Sequence, residues 1–420
     1  MNPSNTTPER ETLAGLPLAM DWLTETYKQL HRHPELSFQE HQTSALVSEQ
    51  LTNFGYSVQH IGGTGVVGVL ANGLGPTVMS RADMDALPVT EATGLPYASE
   101  TEGVMHACGH DVHVAALLGA ARLMAESPNA WSGTFIAVFQ PAEEAGGGSR
   151  VMVGDGLVGK VPRPDVVLGQ HVMPLPAGTL ATAAGPVLSA ADSMKITVHG
   201  KGSHGSMPHM SVDPVVLAAS IVLKLQTIVS RETRPGEFAV VTVGALNAGT
   251  KSNIIPDRAT LLLNIRNYDD AVRTRVLAAI KRIVEGECAA AGSPRKPEFE
   301  FYDQFPLTSN DTSVTELITD AFASHFGQAS VQQADRQTAS EDFSAIADAF
   351  GAPYSYWFLG GSDPQAYQAA VKNGTVDADI PANHSPYFAP VIHPTLTVGV
   401  QAHVVAAMAY LGGRMPSISN

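Results

Sequence analysis

The residues best suited to metal binding or proton transfer in this 420-residue chain fall into a few short stretches. Asp83 and Asp85 follow the apolar run TVMSR; His106, Cys108, His110 and Asp111 lie in MHACGHDVH. Glu143 and Glu144 follow GTFIAVFQ, His171 follows DVVLGQ, and His384 lies in PANHSPYF. A thiolate, imidazoles and carboxylates together suit Zn²⁺, Mn²⁺ or Co²⁺ better than Ca²⁺ or Mg²⁺, which prefer oxygen ligands. Cys108 and His110 are two apart, so in an extended loop both side chains point the same way. Five candidate ligands, Cys108, His110, Glu144, His171 and His384, exceed the three that a mononuclear catalytic zinc usually takes. Two divalent metal ions per chain are therefore expected, with one ligand bridging. Glu143, beside ligand candidate Glu144, is the carboxylate kept for moving a proton from water to a leaving amine.

Each residue also has a plainer reading. The Glu143–Glu144 pair could favour a helix dipole, and Asp111 could cap a helix. His171 could be a buried core histidine, and Cys108 or Cys288 an inert small hydrophobe. These readings must all hold together along one sheet edge to displace the metal site. Other chemistries lack their residues: there is no G-x-x-x-x-G-K-[ST], no G-x-S-x-G and no H-E-x-x-H. A Cys108 nucleophile partnered by His106 or His110 stays open, but leaves Glu144, His171 and His384 without a use.

The elements that position these residues alternate strand and helix up to about residue 186, with continuous apolar strands, the pattern of a mostly parallel, doubly covered sheet. Ligands in such sheets bind beyond the carboxyl ends of the strands, where the candidates fall. Near residue 190 the pattern changes to β-α-β-β-α-β: SMKITVHG, a helix capped by Asp213 with Pro214 following, EFAVVTVGAL, DRATLLLNIR, a helix over 269–290, and PEFEFYD. That order is ferredoxin-like. Strand–helix alternation then resumes through SYWFLGG to a closing apolar helix. The expected fold is α/β, with an inserted α+β unit: residues 12–188 and 304–415 form the catalytic domain and 189–303 the insert.

Composition narrows the partners. Hydrophobic residues make up 44% of the chain, enough for a sizeable core. The net charge of −15, without any Lys/Arg-dense run, argues against nucleic acid or an anionic membrane. Two cysteines exclude a disulfide framework. MNPSNTTPERETL lacks the basic and apolar regions of a signal peptide, and no apolar run approaches about 20 residues, so a cytoplasmic protein without a membrane span is expected.

MHACGHDVH, QPAEEAGGG, GQHVMPLPAGT, GKGSHGSMPH, SNIIPD, ASEDFS and NHSPYF occur in that order, preceded by RHPELSFQEHQTS. Together they resemble the amidohydrolase subfamily of the di-metal aminoacylase/carboxypeptidase superfamily, which includes hippurate, N-acyl-amino-acid and auxin-conjugate hydrolases. The likeness spans roughly residues 20–410. It implies a zinc-exopeptidase-like catalytic domain in which Cys108, His110, Glu144, His171 and His384 hold two metals (Zn, Mn or Co) and Glu143 is the general base and acid. It further implies that the insert is a lid through which the chain forms a homodimer or higher homo-oligomer. His204 in the insert would stabilise the oxyanion, and Asn253 and Arg266 would bind polar or carboxylate groups of the substrate. Where the wider superfamily has H-x-D, this chain has Asp83-Met84-Asp85, expected to orient metal-bound histidines rather than bind metal. The expected reaction is hydrolysis of an N-acyl amino acid or similar small amide. The alternatives are a dipeptidase or carboxypeptidase with the same machinery, or a metal- or amino-acid-binding protein without catalysis.

Overall fold

A computed structural model describes residues 7–413. The expected domain end at 415, and the first six residues of the N-terminal stretch, lie outside the described residues. The chain divides into two units. The first comprises residues up to 187, 309–335 and from 342 onward; the second comprises 188–308 and 336–341.

An eight-stranded sheet forms the first unit, in the order 57–60, 66–72, 133–140, 77–83, 166–176, 354–362, 180–182, 331–333. Its four central strands, Gly133–Gln140, Thr77–Asp83, Val166–Pro176 and Tyr354–Ser362, are mutually parallel. Their carboxyl ends therefore share one edge. Almost every residue of Thr77–Asp83, Gly133–Gln140 and Tyr354–Ser362 is buried, as continuous apolar runs require when both sheet faces are covered, while Val166–Pro176 is buried over its first half and half-buried toward its end. The helix His110–Glu126 is buried over most of its length because its sequence, HDVHVAALLGAARLMAE, places small and apolar side chains on every face. It packs in one core with the helices Leu16–Arg32 and Ile392–Leu411.

The last of these is the closing apolar helix that the sequence leads one to expect. Ile392–Leu411 and Pro214–Glu232 are each long and apolar enough to cross a membrane by length and composition. In Ile392–Leu411, 72% of the apolar window is buried inside the fold, which is the position of a core helix.

The second unit has an antiparallel sheet in the order 239–248, 258–267, 190–199, 298–305. Numbered along the chain this is 2-3-1-4, the ferredoxin-like arrangement. The helices Pro214–Thr227 and Asp270–Ala290 supply Leu217, Ile221, Val276 and Ile280 to a core that also takes Met194, Ile196 and Leu261 from the strands. Asp213 caps the first helix by accepting the Val215 N–H at 2.8 Å, and a π-type turn over Ile228–Glu232 ends it. The segment 336–341 joins this unit through the Ser189 N–H to Ala339 carbonyl bond of 2.9 Å.

Candidate metal centre

The centre belongs to the first unit, at the carboxyl ends of its parallel strands. The strand Thr77–Asp83 ends on Asp83 and leads to Asp85; Gly133–Gln140 leads to Glu143 and Glu144. His171 lies within Val166–Pro176, paired with Phe358, rather than beyond the end of that strand. Cys108 and His110 flank Gly109, whose φ of +84° starts the buried helix. A side chain there would also place its Cβ 2.4 Å from Val172 Cγ1, so this turn requires glycine twice over. His384, at φ 69°, is held by its N–H to the Ala107 carbonyl at 2.8 Å. Asn383 beside it donates to the carbonyls of Cys108 and Val172, each at 3.1 Å.

The donor atoms converge in two groups that share Cys108: Cys108, His110 and His171; and Cys108, Glu144 and His384. Glu143 lies with His110 and Glu144 in a third. Cys108 Sγ is 3.5 Å from His171 Nε2, and Glu144 Oε1 is 3.3 Å from His384 Nε2 and 3.8 Å from His110 Nε2. Zinc–nitrogen and zinc–sulfur bonds of about 2.0–2.3 Å in tetrahedral geometry give ligand separations of roughly 3.3–3.8 Å. Both nitrogens of His110 and Glu144 Oε1 are buried without a hydrogen-bond partner. Such orphaned atoms are costly unless a cation meets them, so the donor set fits a metal.

Tautomers and charges agree. His171 Nδ1 donates to the Val172 carbonyl at 2.8 Å, which leaves a lone pair on Nε2 facing Cys108. Burial, with the His113 imidazole beside it, holds His171 well below its usual pKa. Burial also opposes charge on His110, yet the carboxylates of Asp83, Asp85 and Glu144 outweigh it and push that imidazole up to about 10. The site therefore attracts positive charge. Burial and the carboxylates of Glu144, Glu143 and Asp83 push the Cys108 thiol well above its ordinary value. That is the opposite of nucleophile activation and weighs against the cysteine-nucleophile alternative.

Behind these donors lies a buried polar layer. Asp83 accepts from Arg81 Nη1 at 2.7 Å and from His113 Nδ1 at 2.5 Å, and His113 Nε2 accepts the Val172 N–H at 2.8 Å. His113 stacks on His110 with ring centroids 5.3 Å apart. Asp85 Oδ1 lies 3.3 Å from His110 Nδ1 and accepts the Glu143 N–H, while Oδ2 accepts the Glu144 N–H. Sequence reasoning placed Asp83 and Asp85 here but passed over His113 and Arg81. The spacing of His110 and His113, i and i+3 on a helix, was the available signal. Asp111 is not a cap: it lies in the first helical turn and meets the His31 ring at 2.6 Å.

The remaining candidates lie on the second unit. His204 and Asn253 adjoin, because Ser203–His204 pairs with Ile254–Ile255 and the Gly205 N–H bonds the Asn253 carbonyl at 2.8 Å. Both are exposed. His204 Nδ1 accepts the Ser206 N–H at 3.2 Å, which puts the proton of the neutral ring on Nε2. Arg266 is half-buried and donates to Asn264 Oδ1, the Thr338 carbonyl and Ser340 Oγ at 2.9, 2.7 and 3.0 Å.

Known proteins resemble this chain over most of its length. The family model described as Peptidase family M20/M25/M40 matches residues 79–385, which include every candidate ligand. Thermostable carboxypeptidase 2 of Saccharolobus solfataricus is 37% identical over 396 residues, covering 93% of this chain and 95% of that protein. Hippurate hydrolase of Campylobacter jejuni is 40% identical over 332 residues, covering 78% and 85%. The crystal structure of the Bacillus subtilis YXEP protein, a dinuclear metal binding peptidase from the M20 family, superposes with a TM-score of 0.76 at 29% identity, covering 93% and 98%.

Proposed function

The chain belongs to Peptidase family M20/M25/M40, and we propose that it is an amidohydrolase cleaving N-acyl amino acids or amino-acid conjugates. The observation that carries this reading is the pair of donor groups sharing Cys108, with Glu143 held beside them. Cys108, His110, Glu144, His171 and His384 would hold two divalent cations, of which Zn²⁺, Mn²⁺ and Co²⁺ suit the mixed donors. When bound, such ions polarise an amide carbonyl and lower the pKa of water toward about 7.

The chain's own groups would do the rest. Glu143 takes a proton from the attacking water as its oxygen bonds the carbonyl carbon. The C–N bond then breaks, and Glu143 returns that proton to the departing nitrogen, giving a carboxylic acid and a free amine. His204, with its proton on Nε2, donates to the carbonyl oxygen as negative charge develops there. Asn253 would bind a polar group of the substrate. Arg266 would meet its carboxylate through Nη2, since Nε and Nη1 serve protein acceptors.

We also propose a homodimer formed through the second unit. Its helix exposes Val216 and Leu223, 66% and 73% accessible, and its sheet ends on the 239–248 strand, where Leu246 is exposed. A cytoplasmic setting fits two buried free thiols, Cys108 and Cys288.

The test is amine release from N-acyl amino acids, N-acylated peptides and dipeptides by metal-stripped protein with each ion restored. Metal-restored cleavage of N-acyl amino acids is expected. The 37% identity to the Saccharolobus carboxypeptidase favours one second reading, and preferred cleavage of C-terminal residues from peptides would establish it instead. Tight binding of two ions without amine release from any of them would overturn both.

A further inference from the structure

The stretch RHPELSFQEHQTS has no part in the reaction as proposed, yet its turn reaches the loop that carries Glu143. Ala142, just before Glu143, is a non-glycine residue at φ 49°, and its side chain is fully buried. An L-residue adopts such a backbone only where its surroundings hold it there, because its Cβ crowds the following carbonyl oxygen. The loop folds back tightly here: a Cβ on Gly148 would lie 1.6 Å from the Pro141 carbonyl oxygen.

Three successive backbone N–H groups of this loop end on buried carboxylates. The Ala142 N–H donates to Glu40 Oε1 at 2.8 Å. The Glu143 and Glu144 N–H groups donate to Asp85 Oδ1 and Oδ2 at 3.1 and 3.0 Å. Both carboxylates are tied to the same turn. Ser37 Oγ donates to Asp85 Oδ2 at 2.7 Å; Glu40 belongs to the turn and also accepts the Phe38 N–H at 3.0 Å and Thr64 Oγ1 at 2.6 Å. Glu35 fixes the turn from its other side, accepting the Gln42 and Thr43 N–H groups at 2.9 Å each. Glu40 is fully buried, and the groups it meets here are all donors, so an acceptor-only carboxylate fits the place.

We infer that the 35–40 turn is a clamp on the catalytic loop, and that Glu40 is a positioning residue that holds Ala142 in its left-handed conformation and so aims Glu143. The inference rests on the general-base role proposed for Glu143, but the fold of the loop can be read without turnover. A displacement of about 1 Å in a catalytic group can cost on the order of a hundredfold in rate.

The test uses the metal-loaded protein and four variants: Glu40→Ala, Glu40→Gln, Ser37→Ala and Glu40→Ala/Ala142→Gly. Glu40→Ala is expected to speed amide exchange in residues 141–148 at least tenfold and to lower kcat about a hundredfold, with KM and metal content within twofold. Glu40→Gln keeps one oxygen for the Phe38 and Ala142 N–H groups and lets Thr64 turn to accept, so kcat should return to within about threefold. Glycine at 142 adopts φ 49° without a Cβ penalty, so the double variant should recover part of the loss. Ser37→Ala, a milder change that tests the clamp if Glu40→Ala does not fold, should cost about tenfold in kcat. Unchanged exchange in 141–148 with only a lowered melting temperature, or metal loss in proportion to the rate loss, would overturn the clamp. If the wild type cleaves no amide, the proposed function fails, while the exchange data still decide whether the turn holds the loop.

Discussion

In the first unit the groups that bear chemistry are mostly sunk among one another, and of the five candidate ligands only His384 is exposed. Asp83, Asp85, His110 and Glu143 are buried, and the nitrogens of His110 face the carboxylates of Asp85 and Glu144 at 3.3 and 3.8 Å without a hydrogen bond to either. In the second unit His204 and Asn253 stand exposed on a short two-stranded ribbon, while an ordinary apolar core lies elsewhere. The second unit also buries charge, but answers it at once: Asp192 accepts both Arg273 Nε and Nη2 at 2.7 Å and Gln304 Nε2 at 2.7 Å. A buried carboxylate fully met by a guanidinium needs nothing more. A buried cluster of carboxylates, thiol and imidazoles with orphaned atoms is complete only around cations. The first unit is therefore expected to gain stability from bound cations, and the second to gain none.

Four measurements would sharpen or break that contrast. The largest effect is expected at Glu143, where Glu143→Ala should lower kcat by about 10³–10⁴ while both metal equivalents stay bound. Near-wild-type turnover would remove Glu143 from the reaction. His204→Ala should cost about 10²–10³ in kcat, the usual loss for one oxyanion donor, with an unchanged unfolding curve because the side chain is exposed. A comparable loss of stability would show that its role is structural.

The third concerns pH. His31 is buried between Asp111 and Glu91, at 2.6 and 3.3 Å. Burial opposes its charge, but those carboxylates prevail and raise it from 6.5 to about 9. Because the folded value is the higher one, its stabilising contribution is complete below about pH 6.5 and disappears as pH rises through about 9. The difference in urea-unfolding free energy between wild type and His31→Gln should therefore shrink by on the order of 3 kcal/mol between pH 6 and pH 10. A pH-independent difference would mean that His31 is neutral in the folded protein. The smallest stability effect is expected at the exposed face of the second unit, where Val216→Lys should change folding stability by no more than about 0.5 kcal/mol yet halve the mass seen by light scattering. An unchanged mass would move the subunit contact elsewhere.

Much of this was legible in the residues themselves. Alternating apolar runs located the parallel strands, since a strand covered on both faces must be apolar throughout. The change to β-α-β-β-α-β near residue 190 located the ferredoxin-like unit. The metal candidates could be read because soft and hard donors after successive parallel strands are brought to one sheet edge by topology alone. His171 inside its strand rather than after it, and Asp111 facing His31 rather than capping a helix, were less accessible: strand ends and side-chain partners depend on neighbours distant in sequence.

The sequence by itself thus determined the class of fold, the donor types and the strand edge at which they meet, because apolar periodicity and ligand chemistry are local properties. Only the tertiary structure decided which atoms face one another. It paired His113 with Asp83, set Asp85 beneath both Glu143 and Glu144, and brought Glu40 to Ala142 across 102 positions of chain. Those contacts follow from packing an entire sheet against its helices, which brings distant residues within hydrogen-bond reach and leaves no mark in local spacing.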